Sequence, residues 1–213
     1  MEAPAGHRVL HRLARLPDPL AWPPAAYTGG GRFDDPAGEF RVLYAAASRI
    51  VCCLELIAPF RRPAGTAEAE LQAALRALRP PSTPPEPLAG IVPADWVRQR
   101  AFAELSVSAE LPRLDLRSAE GLEAVRHGLR LAEFDLGDVL QRHRPATQRI
   151  ARWAYEQGLQ AVLYPSRFAA DSECWAIFDS AAIVRGPVLP LSSDDVHLVE
   201  AARRFGLTVE SAA

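Results

Sequence analysis

Lysine and asparagine are both missing from the 213 residues, so all 24 residues of the Lys/Arg class are arginine. This removes a Schiff-base lysine, a phosphate-loop lysine, an Asn-x-Ser/Thr glycosylation acceptor and any amide role for Asn. Arginine stays charged, and its planar fork suits phosphate or carboxylate. Cysteine is scarce: Cys52 and Cys53 are adjacent and Cys174 is remote. That odd count is no disulfide framework. No Cys-x-x-Cys occurs, and His7, His11, His127, His143 and His197 are scattered. The His7/His11 spacing of a zinc pair lies in a Pro- and Arg-rich setting that does not suit a metal helix, so no metal site is expected. Neither sign of charge is in excess, the formal net charge being -2. A nucleic-acid partner would normally leave a basic domain or stripe. No apolar run approaches the ~18 residues of a membrane span, and the N-terminus lacks a secretory-type apolar run. The expectation is a soluble, cytoplasmic protein in a reducing compartment.

What is present is a 49% hydrophobic chain, enough for a real core. Residues 7–15 alternate and predict a first strand. The Pro-punctuated stretch 16–24 excludes a helix interior. Residues 40–46 predict a strand. Residues 48–59 predict a buried helix, capped by Ser48 and stopped before Pro59. Residues 66–79 predict an amphipathic helix, and 80–87, PPSTPPEP, a stiff connector. Strands are expected over 99–108 and 114–116, then a helix over 118–129 capped by Ser118. A helix over 144–158 should end at Gly158. Two strands, 159–166 and 174–179, flank a polar turn. IVRGPVL is strand-like, and 194–206 is a last helix. Strands and helices mix without regular βαβ alternation, which predicts an α+β fold with a mixed, largely antiparallel sheet. One domain over 1–213 is expected, with a core of about 7–185, the connector 80–87 and a C-terminal extension from about 187.

Three places could carry chemistry. In Gly29-Gly30-Gly31-Arg32-Phe33 the glycines let backbone approach a ligand and the arginine can fork onto phosphate. The same residues also suit a hairpin turn with a surface arginine. Glu55 interrupts the apolar run VCCLELIAP. A buried carboxylate there needs a partner or a function, whereas an exposed helical stripe needs neither. In Tyr164-Pro165-Ser166-Arg167, a serine at a strand end can face a cleft or bond its own turn. No elbow glycines surround Ser166, which disfavours an α/β-hydrolase nucleophile. The three cysteines read as core residues.

Taken in order, GGGRFDDPAGEF, then VLYAAAS, then CCLELIAP, then LYPSRFAADSECWAIFD resemble the RES domain family. Thr147-Gln148 in RPATQRIAR resembles a further stretch often found there. The resemblance covers roughly residues 7 to 185 and maps the family's Arg, Tyr, Glu and Ser onto Arg32, Tyr44, Glu55 and Ser166. It implies a fold like that of ADP-ribosyltransferases and an enzyme that consumes NAD as substrate, with water or inorganic phosphate as acceptor. A mono-ADP-ribosyltransferase with a protein target, or a non-catalytic NAD-binding module, is the alternative. It further implies that Glu55 supports the ribose, that Arg32 holds pyrophosphate or phosphate with help from Arg167, and that Tyr44 orients nicotinamide. Ser166 would bond the nicotinamide amide or ribose, and Gly30 and Gly31 would let the loop close. No prosthetic group or metal is implied. The implied partner is a small Xre-type helix-turn-helix antitoxin, as in toxin–antitoxin pairs.

Overall fold

The computed structural model describes residues 5–24, 29–62, 90–141 and 144–211. The helix expected over 66–79 and the connector 80–87 lie outside the described residues. The strands are β1 (His7–Arg15), β2 (Val42–Ala46), β3 (Ile91–Val92), β4 (Arg100–Ser108), β5 (Arg113–Asp115), β6 (Ala161–Ser166), β7 (Ala169–Phe178), β8 (Val184–Pro190) and β9 (Thr208–Val209). The helices are α1 (Arg49–Ile57), α2 (Ala94–Arg98), α3 (Ala119–Gly128), α4 (Leu136–Leu140), α5 (Arg144–Glu156) and α6 (Val196–Phe205). The fold is α+β. A seven-stranded sheet runs β5-β6-β7-β2-β1-β4-β8, and β3 pairs with β9 separately. Among the described residues of the large sheet, β5–β6 is the only parallel pair. Among the described residues no helix is long and apolar enough to cross a membrane.

Two-residue periodicity splits the sheet into two faces. Val42, Val162, Tyr164, Cys174, Ala176 and Phe178 point to the helical side. There they meet Cys53 and Ile57 of α1, Val125 of α3, Val139 of α4, Ile150 and Ala154 of α5, and Leu198 and Ala202 of α6. The alternate residues Leu43, Ala161, Leu163, Trp175 and Ile177 build a second core. The Pro-rich segment after β1 covers it with Leu20 and Trp22.

The β1–β2 pairing is brief, with a single register pair, His11↔Ala46. Arg12 fills the divergence, donating to Tyr44 O and Pro19 O at 2.8 Å each. Burial lowers its pKa to about 10, which leaves the guanidinium charged at neutral pH.

Three local expectations are corrected. Ser48 has the extended backbone of a helix cap, but its side chain caps nothing. Pro59 does not end the helical path; it sits inside a 3-10 turn, Ala58–Phe60, that continues α1. A proline near the start of such a turn loses no needed donor. The polar stretch before Cys174 is not a turn, because β7 already begins at Ala169. Its Glu173 can lie in the sheet because Arg8, Arg117 and the Trp175 indole N–H all bind the carboxylate. Ser118 does cap α3, accepting from Gly121 N, and Gly158 follows α5 with φ of 76°.

Candidate functional site

The sheet brings the separated motifs to one place. Tyr44 on β2 and Tyr164 and Ser166 on β6 share the helical face, with β7 between the two strands. Helix α1 crosses that face and carries Glu55, which is half-buried while Val51, Cys52, Leu54 and Ile57 around it are buried. This joins the two readings of Glu55: it leaves the apolar side of the helix yet does not point freely into solvent. Ser166, only 1% exposed, donates its hydroxyl hydrogen to Glu55 Oε1 at 2.5 Å. Ser166 Oγ in turn accepts the Phe168 N–H at 3.1 Å.

Arg32 reaches this neighbourhood from the loop before β2. Its Cζ lies 5.2 Å from the Tyr164 ring centroid and 5.5 Å from that of Phe33. Nη2 donates to Val139 O on α4. Nε and Nη1 are buried without a hydrogen-bond partner. Each such donor nitrogen costs about 1–3 kcal/mol unless an acceptor is supplied. Both Glu55 and Arg32 act electrostatically on the Tyr164 phenol and the Cys174 thiol, so the two charges share one locality. Burial raises the pKa of Tyr164 first, and Glu55 adds to that while Arg32 opposes it.

The glycine loop is held from three sides. Asp34 accepts Gly31 N at 2.6 Å and the Tyr44 hydroxyl at 2.7 Å. Tyr44 Oη in turn accepts Phe33 N at 2.9 Å. Burial, then the nearby Asp34, pushes the Tyr44 phenol well above its usual range, so it remains a donor. A Cβ at Gly31 would lie 2.4 Å from Tyr44 Oη, so this glycine is required by packing against Tyr44. Gly30 has open space around it, and Gly29 has a φ of 89°. From α5, Gln148 donates to Gly29 O and Gly31 O at 2.9 Å each, and Thr147 donates to Arg32 O. Arg152 on the same helix pairs with buried Asp35 at 2.9 Å. One helix therefore fixes the backbone on both sides of Arg32.

Arg167 is exposed, with its guanidinium 5.7 Å from the Phe168 ring centroid. The three cysteines are buried thiols. Burial pushes Cys52 up to about 12 and raises Cys53 and Cys174 further, so none is a ready thiolate. Sequence reasoning did not single out Asp34 or Tyr164. Asp34 stands beside a second aspartate in a turn, and no spacing marks which one turns inward. Tyr164 reads as a core strand residue, which it also is.

A family model described as the RES domain matches residues 7–196. No curated protein matches the chain. The crystal structure of the M. tuberculosis MbcT–MbcA toxin–antitoxin complex contains a chain of similar fold. It is 17% identical, with a TM-score of 0.57, over 95% of this chain and 90% of that one.

Proposed function

The chain belongs to the RES domain family, and on that premise we propose that it cleaves the nicotinamide–ribose bond of NAD, with water or inorganic phosphate as acceptor. The observation that carries this reading is the meeting of Glu55, Ser166 and Arg32 in one locality. The carboxylate is oriented by a 2.5 Å hydrogen bond, and the guanidinium keeps two buried donors without an acceptor. An anionic substrate group, the pyrophosphate of NAD or a free phosphate, fits those donors.

The bond electrons leave with the nicotinamide nitrogen, which is cationic in NAD and neutral once released. No strong general acid is then required. Positive charge develops at the ribose carbon, as in glycoside cleavage. Glu55 stabilises that charge, and its fixed orientation means that little is reorganised at the moment of reaction. Water then gives ADP-ribose and a proton, and phosphate gives ADP-ribose 1″-phosphate. Tyr44, whose hydroxyl is committed to Asp34 and Phe33 N, holds the loop and has its ring left to meet nicotinamide. Arg167 supports the anion from the Ser166 turn. NAD is a substrate in this scheme, and no prosthetic group takes part.

The family and the toxin–antitoxin neighbour support a role as the toxin of such a pair. The partner proposed is a small Xre-type helix-turn-helix antitoxin that covers the site. Purified protein incubated with NAD should release nicotinamide. Rising turnover with added phosphate, together with ADP-ribose 1″-phosphate, identifies phosphate as acceptor. Labelled protein from radiolabelled NAD without free ADP-ribose would instead favour a protein-directed ADP-ribosyltransferase. Arg32→Ala in a folded protein should raise KM for NAD or abolish the phosphate response. If it does neither, Arg32 is only a loop arginine.

A further inference from the structure

We propose that Arg61 forms a second anion-binding position beside the Glu55–Ser166 pair, suited to a phosphate of the dinucleotide. Part of it is built by the helix that lies almost wholly beyond the family match. The inference rests on the NAD-cleaving reading of that pair, which it deepens.

Arg61 follows the 3-10 turn that extends α1. Its Cζ lies 4.8 Å from the Phe168 ring centroid and 4.9 Å from that of Phe205. The two rings are themselves 5.2 Å apart at 76°. Arg61 Nε donates to Ala58 O at 3.1 Å. These contacts hold the guanidinium against two rings and by its Nε–H. Cation–π contact uses the ring faces and leaves in-plane donors available. Among the described residues neither terminal nitrogen has a hydrogen-bond partner, and no carboxylate pairs with Arg61. By contrast Arg49, Arg117 and Arg152 each bind carboxylates.

Two links tie this fork to the candidate site. Along the chain, Arg61 stands six residues after Glu55 on the same helical path. Through space, Phe168 touches Arg61 with its ring while its backbone N–H donates to Ser166 Oγ. Tyr164 and Phe168 bracket Ser166 in sequence, and both carry arginine against the ring, Arg32 on the first and Arg61, with Arg167 further off, on the second. A ligand with two linked phosphates suits two such arginines. A guanidinium already ordered by its neighbours loses little freedom on binding.

Phe205 ends α6, and the family match stops at residue 196. The terminal helix thus supplies one wall of this position.

The test is calorimetric titration of the full chain with ADP-ribose and, separately, with inorganic phosphate. Arg61→Gln should weaken ADP-ribose binding by about tenfold or more, the scale of a lost charge-assisted hydrogen bond. Phe205→Leu should weaken it in the same direction by less. Arg61→Lys, which keeps charge but not the fork, should fall between wild type and Arg61→Gln, and it serves as the variant if Arg61→Gln does not fold. A loss confined to inorganic phosphate would overturn the dinucleotide assignment. Unchanged ADP-ribose affinity in a variant with a lowered melting temperature would make Arg61 a staple between α1 and α6 and overturn the proposal. No binding of ADP-ribose by wild type would overturn it too. Arg61-dependent binding without nicotinamide release from NAD would leave this position standing and remove the NAD-cleaving reading.

Discussion

Ser166 gives its hydroxyl hydrogen to Glu55 Oε1 at 2.5 Å while its oxygen takes the Phe168 N–H at 3.1 Å. Its only proton is thereby committed inside the protein. The hydroxyl orients the carboxylate, and Ser166 acts as a positioning residue.

Ser166→Ala should therefore lower kcat for nicotinamide release by roughly tenfold to a hundredfold, the scale of a hydrogen bond to a charged group. KM for NAD should change little. Steady-state kinetics on a variant with an unchanged circular dichroism spectrum separates the two parameters. A raised KM with kcat preserved would place Ser166 on the substrate.

Tyr44 joins Asp34 to the backbone of the arginine loop. Tyr44→Phe leaves the Phe33 N–H and one Asp34 oxygen without that partner, which should cost about 1–3 kcal/mol of stability. Gly31→Ala should destabilise as well, since its Cβ would fall 2.4 Å from Tyr44 Oη and 2.5 Å from Asp34 Oδ1. Because the two changes act on one contact, the double variant should lose less than the sum. Denaturant titration of the three variants measures this coupling. Strict additivity would mean that the loop does not rest on Tyr44.

The strands were legible where apolar residues alternate, as in β1 and β4. The first half of β7 was not, because its Glu173 reads as a turn residue until Arg8, Arg117 and Trp175 are seen around it. Short elements such as α2, α4, β3 and β9 carry too few residues to show a period. For the site, residue types alone left Arg32, Glu55 and Ser166 as separate, ambiguous signals. Only their order along the chain, matched to a family, joined them. Thr147-Gln148 stood out only through the family resemblance, and its supporting role stayed hidden because Gln148, more than a hundred residues from the glycines it bonds, meets them only in space. The role of Asp34 likewise depends on Tyr44, ten residues on in β2.

Stability should depend on pH through His11. Desolvation lowers its proton affinity, Arg49 and His197 push the same way, and Glu104 opposes them. Its Nδ1 is buried without a hydrogen bond and lies 4.0 Å from Glu104 Oε1. The unfolded chain then binds this proton more readily than the folded one. Stability from this group is fully present above the usual histidine value of 6.5 and is lost as pH falls below it towards the folded value. Urea midpoints measured from about pH 7 to pH 5, a range spanning the ordinary histidine pKa, should decline in wild type and flatten in His11→Gln. An equal decline in both would assign the effect to other groups.

The account turns on Glu55 as the charge that stabilises bond cleavage, and nicotinamide release from NAD by Glu55→Gln beside wild type tests it most directly. The substitution keeps size and can still accept from Ser166, so the fold should persist, as checked by circular dichroism and melting temperature. The account predicts nicotinamide release by wild type and a loss of roughly a hundredfold to a thousandfold in the variant, the scale found for preorganised electrostatic groups. A folded Glu55→Gln protein that releases nicotinamide at close to the wild-type rate would contradict it.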